Sequence, residues 1–287
     1  MLQKVSSNLT VTRRETSLTR RFLTPAAAEI EQALLALRIQ TDQVLGNNAP
    51  SRYGKPYPLG YCWEISNDVA ERLRKRIARP VTPGERALSA FLKNGGRGRH
   101  LWGALRGKYF QNAFQFGQLY IDVANDTVDI RKPKIEILPM EDAGFALIQD
   151  AAHFARISQA YWGVRIYANH ALPSLAPAFP MIGVDPWGRA RLQSSSQYMF
   201  ELFCGDGFMR SEQWLDQGEA PPAWVMAAVR DRCPPQLLLE NPSTGRAAAL
   251  EACGSLRIAG VAERADWRQS MLATYRDIDL IPVPGRG

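Results

Sequence analysis

A chain of 287 residues, 46% hydrophobic and 22% charged, can bury one large core or two modest ones and has the balance of a globular polypeptide, not a disordered one. Lys and Arg outnumber Asp and Glu by 35 to 28, a formal charge of +7, so charge alone favours nucleic acid, an acidic protein or an anionic membrane surface as partner. The four cysteines, at 62, 204, 233 and 253, form no CxxC pair, which excludes a zinc ribbon, a thioredoxin-like site and a disulfide framework, and no apolar run is long enough to cross a bilayer.

Residues 1–23 carry Lys4, Arg13, Arg14, Arg20 and Arg21 against only Glu15, and read as a basic, flexible arm. A cytoplasmic location is expected; the arm is also compatible with a secreted effector or with organelle import. Thr24-Pro25 is a helix start, an N-cap followed by proline at the first helical position. The spacing of Ile30, Leu34, Leu37 and Val44 predicts a helix to about Leu45 with those side chains on its buried stripe, ended by Gly46-Asn47-Asn48. A Tyr/Pro/Gly loop over 53–60 leads to a second helix, Cys62 to about Ala78. Its inner face takes Cys62, Ile65, Val69, Leu73 and Ile77, and its far side carries Arg72, Arg74, Lys75, Arg76 and Arg79.

A short helix over 85–92 and a Gly-rich loop over 94–99 follow. From His100 the pattern turns to strands, at 100–105 and 118–123, with further candidates at 128–130 and 135–138. Residues 140–144 separate a core over 24–144 from a mixed half over 145–287. In that half the pattern predicts a helix over 145–163, a strand at 164–167, a proline-rich loop over 171–188 and a strand or helical turn at 198–203. Helices over 223–232 and 245–252 and short strands at 256–258 and 278–281 complete it. The expected fold class is α+β: N-terminal helices packed on a mainly antiparallel sheet, with a mixed C-terminal half.

The chemistry-bearing residues are few. There are three histidines, at 100, 153 and 170, and neither an HExxH pair nor a P-loop is present, so no metal and no cofactor are expected. What stands out is Cys62 at the start of its helix, where free N–H groups and the dipole favour a thiolate, and where the N–H groups of Cys62 and Trp63 can hold an oxyanion. Histidine and aspartate follow at His100 and Asp122, and thioester chemistry needs a nucleophile, a base and an orienting carboxylate.

Gly60-Tyr61-Cys62-Trp63, His100-Leu101-Trp102 and Leu119-Tyr120-Ile121-Asp122 resemble the helix-borne Cys, the His-x-Trp strand and the Asp-ending strand of transglutaminase-like and papain-like cysteine enzymes. The resemblance spans residues 58–124 and implies Cys62 as nucleophile, His100 as base and Asp122 as orienter. Gly60-Tyr61-Cys62-Trp63-Glu64 and Asp122-Val123 are also similar to segments of the arylamine N-acetyltransferases. A rival pair, His170 and Asp185 in Val184-Asp185-Pro186-Trp187-Gly188, resembles the later His and Asp-Pro segments of bacterial papain-like effectors and toxins.

Two function classes stay open. The first is a hydrolase or acyltransferase acting on a protein or a small amide or acyl substrate through a thioester. The second is a non-enzymatic binder of nucleic acid or an acidic protein, using the basic arm, the 72–79 face, the Gly95–Arg99 loop and stacking by Tyr109, Phe110 and Phe114. Sequence leaves the oligomeric state open.

Overall fold

The computed structural model describes residues 2–3, 8–51, 55–193 and 196–279. The expectations for residues 53–54 and 280–281 lie outside the described residues. The chain divides into two compact units, Met1–Leu147 and Ile148–Gly287. Its class is the expected one: α+β, with N-terminal helices against an antiparallel sheet and a mixed C-terminal region.

The first unit opens with strand β1 (Leu2–Gln3) and helix α1 (Arg13–Leu18). Within the arm expected to be flexible, residues 13–23 are instead helical and packed. Thr12 and Glu15 form a capping box, a π-helical turn continues over Thr19–Leu23, and Glu15, Thr19 and Leu23 are buried. Helix α2 (Ala27–Leu45) follows Pro25, and α3 (Cys62–Ala78) has the predicted bounds. Helix α4 (Pro83–Lys93) starts earlier than expected, because Thr82 and Glu85 form a second capping box around Pro83.

Strands β2 (Gly98–Leu105), β3 (Tyr109–Phe116), β4 (Leu119–Asp122) and β5 (Glu136–Pro139) pair antiparallel in that order. Strand β1 pairs parallel with the start of β2, and β6 (Phe145–Ala146) pairs antiparallel with its end. Residues 128–130, expected as a strand, follow a 3-10 turn over Asn125–Thr127 instead. One face of the sheet packs on the helices through Phe114, Phe116 and Ile121 against Ile65, Val69 and Leu34. The other face holds Leu101, Ala113, Tyr120 and Phe145.

Helix α2 departs from its predicted stripe at two positions. Val44 is exposed, whereas Arg38 is fully buried. Arg38 sits four residues after Leu34, on the apolar phase, and reaches polar partners across the core.

The second unit contains α5 (Ala151–Trp162) and the antiparallel strands β7 (Arg165–Ala168), β8 (Met181–Val184) and β9 (Ala190–Leu192). Helices α6 (Gln197–Cys204), α7 (Met209–Gln217), α8 (Ala223–Arg230), α9 (Pro235–Glu240), α10 (Arg246–Ile258) and α11 (Ala265–Asp279) complete it. Its core gathers Phe179, Phe200, Phe208, Leu215, Val225 and Cys253. The helix predicted over 145–163 begins later, because Phe145 and Ala146 join the sheet and Asp150 caps α5 by accepting from the His153 N–H at 2.7 Å. The proline-rich loop contains β8, between Pro180 and Pro186, where no proline interrupts the ladder. The strand expected at 256–258 is the last turn of α10, and Ile278 lies in α11.

Candidate active site

Cys62 opens α3 because the chain turns at Gly60. Gly60 takes φ +79°, a left-handed conformation costly for any residue with a Cβ, and its N–H donates to the Thr127 carbonyl at 3.0 Å. The N-cap residue Tyr61 makes no side-chain cap, so the N–H groups of Cys62 and Trp63 have no acceptor within the helix. One turn on, the Ser66 hydroxyl donates to the Asn112 carbonyl at 3.2 Å, which seats the start of α3 over β3.

Register decides what lies beneath it. His100 faces Phe114, Trp102 faces Asn112, and Phe114 in turn faces Ile121. Side chains alternate across a sheet, so these five share the helix-covered face, while Asp122 belongs to the opposite one. Asn112 Nδ2 donates to Cys62 Sγ at 3.4 Å. The His100 ring stacks beneath Trp63, centroids 5.8 Å apart and planes 15° apart, and meets Phe114 edge-on at 5.3 Å. His100 and Asn112 are diagonal neighbours on adjacent strands, a relation that sets backbone positions about 7–8 Å apart. His100 Nε2 and Asn112 Oδ1 are both buried without a hydrogen-bond partner.

The structure therefore joins Cys62 to Asn112 and Trp63 to His100, with His100 and Asn112 on one sheet face. It does not bring Asp122 to His100. The Asp122 carboxylate accepts from Gln111 Nε2 at 2.7 Å, the Ala124 N–H at 2.7 Å and the Tyr120 hydroxyl at 3.2 Å. The reason is a strand that the sequence pattern did not separate. Tyr109–Phe116 lies between the strands of His100 and Asp122, and its register turns the carboxylate to the far face. A signal for Asn112 was present: in Phe110-x-Asn112-x-Phe114-x-Phe116 one amide interrupts an alternating aromatic row.

At neutral pH Cys62 and His100 both rest uncharged. Burial pushes the Cys62 thiol up to about 11; the Asn112 amide pulls it down, and the negative charges of Asp122 and Glu64 raise it further. This reverses the lowering expected from the helix N-terminus. Burial also lowers the His100 imidazole to about 4. Burial raises Asp122 to about 6, against the pull of its three donors.

Two expected results follow from these values. The thiolate fraction of Cys62 climbs about tenfold per pH unit below 11, so direct alkylation by iodoacetamide should be slow at pH 7 and accelerate by that factor up to pH 10. Cys62 should still label before the buried Cys204, Cys233 and Cys253, as mass mapping of the modified peptides would report.

The second concerns stability. The folded pKa of His100 lies below its ordinary 6.5, so the contribution of the neutral ring is complete above pH 6.5 and lost as the pH falls through 4. That loss is about 3 kcal/mol. Asp122 has the opposite sign: its folded pKa of about 6 exceeds the ordinary 3.8, so its contribution is complete below pH 3.8 and lost as the pH rises through 6. His100→Gln removes the first effect and keeps the second. Its melting temperature relative to the parent protein should therefore improve steadily from pH 6.5 to pH 4; a constant difference in thermal scans would contradict the assignment.

The other predicted residues are held locally. His170 Nε2 donates to the Leu215 carbonyl at 2.9 Å, and burial lowers its pKa. Asp185 Oδ1 accepts from the Trp187 and Arg189 N–H groups, each at 3.0 Å, and Oδ2 accepts from Arg189 Nε at 2.6 Å. These contacts close a turn and do not join Asp185 to His170. Several of the basic groups are paired too. Glu15 accepts from Arg97 Nε and Nη2 at 2.9 and 2.6 Å and lies 3.5 Å from Arg99, and Arg72 and Lys75 pair with Asp68 and Glu71. Phe110 and Phe114 are core residues, and Lys132 lies over the Tyr109 ring.

Among the described residues no group of three or more His, Cys, Asp or Glu side chains is arranged to hold a metal ion, and no helix is long and apolar enough to cross a membrane. Comparison of the chain with protein-family models, characterised proteins and solved structures finds no match.

Proposed function

We propose that the first unit is a cysteine-dependent acyl-transfer enzyme, with Cys62 as nucleophile, His100 as general base and Asn112 as the group that positions the sulfur. The observation that carries this reading is the half-buried thiol at a helix start, bonded to Asn112, over a sheet face that holds two unpartnered buried atoms, His100 Nε2 and Asn112 Oδ1. Each such atom costs about 1–3 kcal/mol. Retaining two on a sheet face otherwise packed with aromatic rings fits a site built to receive a polar substrate group.

In the reaction the Cys62 sulfur attacks the acyl carbon, forming the S–C bond and breaking the bond from carbon to the leaving group. The thiol proton passes to His100 Nε2 and then to the leaving group. The N–H groups of Cys62 and Trp63 face the oxyanion that forms between these events. Water or an amine then attacks the thioester and restores the thiol. Water makes the enzyme a protease, amidase or deamidase, and an amine makes it a transglutaminase-like or acylating enzyme. With Phe110 and Phe114 buried, the stacking part of the nucleic-acid reading has less support.

The test is intact-mass spectrometry after incubation with p-nitrophenyl acetate. The expected result is one acetyl adduct that maps to Cys62 and is absent from Cys62→Ala. Adducts only on lysines or on the other cysteines, or none in the folded protein, would remove the enzyme reading.

A further inference from the structure

We propose that Trp63 is the specificity-determining side chain of the Cys62 site, its indole a platform for a flat, uncharged aromatic group carried by the acyl donor. The kinetic part rests on the thioester reading of Cys62; the binding part does not.

Trp63 follows the nucleophile directly and is 50% exposed, whereas the rings around it are core: Phe114 is 0% and Phe110 2% exposed. One face of the indole covers the His100 ring. Half of the indole is left in water on the residue that follows the thiol, and two buried polar atoms lack partners nearby on the sheet: His100 Nε2, on the ring the indole covers, and Asn112 Oδ1, on the amide that bonds Cys62. On the sheet face below, Trp102, directly across from Asn112, stacks on Phe110, two residues along from it, at 5.4 Å with planes 7° apart. With those rings buried, the aromatic surface left to a donor that presents its carbonyl to Cys62 is the Trp63 indole, on which an aryl group adds offset stacking beyond simple area burial.

Charge narrows the class further. Glu64, in the first turn of α3, and Asp122, beneath the sheet, both act on the thiol as negative charges. An anionic donor is disfavoured there, and a neutral aryl-acyl group is favoured.

The experiment compares p-nitrophenyl phenylacetate with p-nitrophenyl acetate on the full chain. In both, the sulfur–carbon bond forms as the carbon–oxygen bond breaks, and the thiol proton leaves with p-nitrophenolate by way of His100. The phenylacetyl ester should acylate Cys62 on the order of tenfold faster, a preference of the size aromatic stacking supplies. Trp63→Ala should erase the preference and Trp63→Phe should keep most of it. The ratio between donors is the quantity read, because uncovering His100 alters both rates together. A preference unchanged in Trp63→Ala would overturn the proposal.

A second arm needs no chemistry. Phenylacetamide and acetamide are titrated into Cys62→Ala while indole fluorescence is followed. Selective binding of phenylacetamide that disappears in Cys62→Ala/Trp63→Ala supports the platform, even if no ester acylates the protein, in which case only the thioester reading fails. Equal or absent binding of the two amides overturns the platform whatever the esters do.

Discussion

Replacing His100 by Ala should slow acylation of Cys62 by about 10²–10⁴-fold at pH 7, the range that a positioned general base supplies. A thiol at about 11 and an imidazole at about 4 are both neutral at pH 7. Thiolate alone is then present on the order of one part in 10⁴. On the proposed mechanism the proton moves while the S–C bond forms, and His100 Nε2, buried and without a partner, is the group proposed to take it. The pH profile separates this from a structural effect. Because His100 is neutral above about pH 4, the parent protein should hold a plateau of acylation rate from pH 5 to pH 9 if His100 is the base. His100→Ala should instead climb about tenfold per pH unit, as direct thiolate attack requires. Asp122→Asn, altered on the opposite face, should keep the parent's profile. A loss in Asp122→Asn equal to that in His100→Ala, with the fold intact by circular dichroism, would return the orienting role to Asp122.

That contrast marks where the sequence was readable. The helix from Cys62 to Ala78 could be delimited because apolar residues recur at helical steps after a Gly/Pro turn, and both signals are local. His100 could be placed on a strand for the same reason. Asp122 could not be placed on a face, because parity depends on counting every strand and bulge between it and His100. The strand Tyr109–Phe116, with Gln111, Asn112 and Gln115 among its aromatics, has too many polar residues to stand out as apolar. Those polar residues are buried, Gln111 at 0% and Asn112 at 2% exposure, so tertiary packing overrode the pattern. The direction of the Cys62 shift was hidden for a related reason. The helix end is visible in sequence, but the burial that outweighs it is set by strands fifty residues away.

The basic arm was misread through composition. Arginines at 13, 14, 20 and 21 suggest a solvated segment, yet the single acid among them, Glu15, is the residue that docks it. Burial raises the Glu15 pKa, but the Arg97 and Thr12 hydrogen bonds outweigh that and hold it at about 2. The Gly-rich loop therefore serves the arm: two of its arginines, Arg97 and Arg99, converge on one buried carboxylate.

Arg38→Ala should be the most destabilising single change in the first unit, costing about 3–5 kcal/mol, because it strands a buried carboxylate. Arg38 is 0% exposed. Its guanidinium donates to Asp126 Oδ1 at 2.8 Å and Oδ2 at 3.0 Å, to the Val123 carbonyl at 2.8 Å and to Asp42 Oδ1 at 2.8 Å. Among the described residues Asp126 keeps only Lys134, at 3.2 Å, as a cationic partner once Arg38 is gone. The consequence reaches the site by a short path. Asp126 lies in the Asn125–Thr127 turn, and the Thr127 carbonyl receives the Gly60 N–H that sets the entry to α3. Loosening this turn frees Gly60, and with it the position of Cys62 over Asn112. Urea unfolding should thus show the stability loss, and p-nitrophenyl acetate should show slower acylation at urea concentrations where the variant is still folded. Arg38→Met with Asp126→Leu removes both charges and should recover much of the stability, since replacing a buried ion pair by apolar groups is often neutral. It should not recover the acylation rate, because the hydrogen bond to the Val123 carbonyl is still missing. Recovery of both together would mean that the network supports only the fold, and a loss below 1 kcal/mol for Arg38→Ala would mean that water reaches Asp126 in its place.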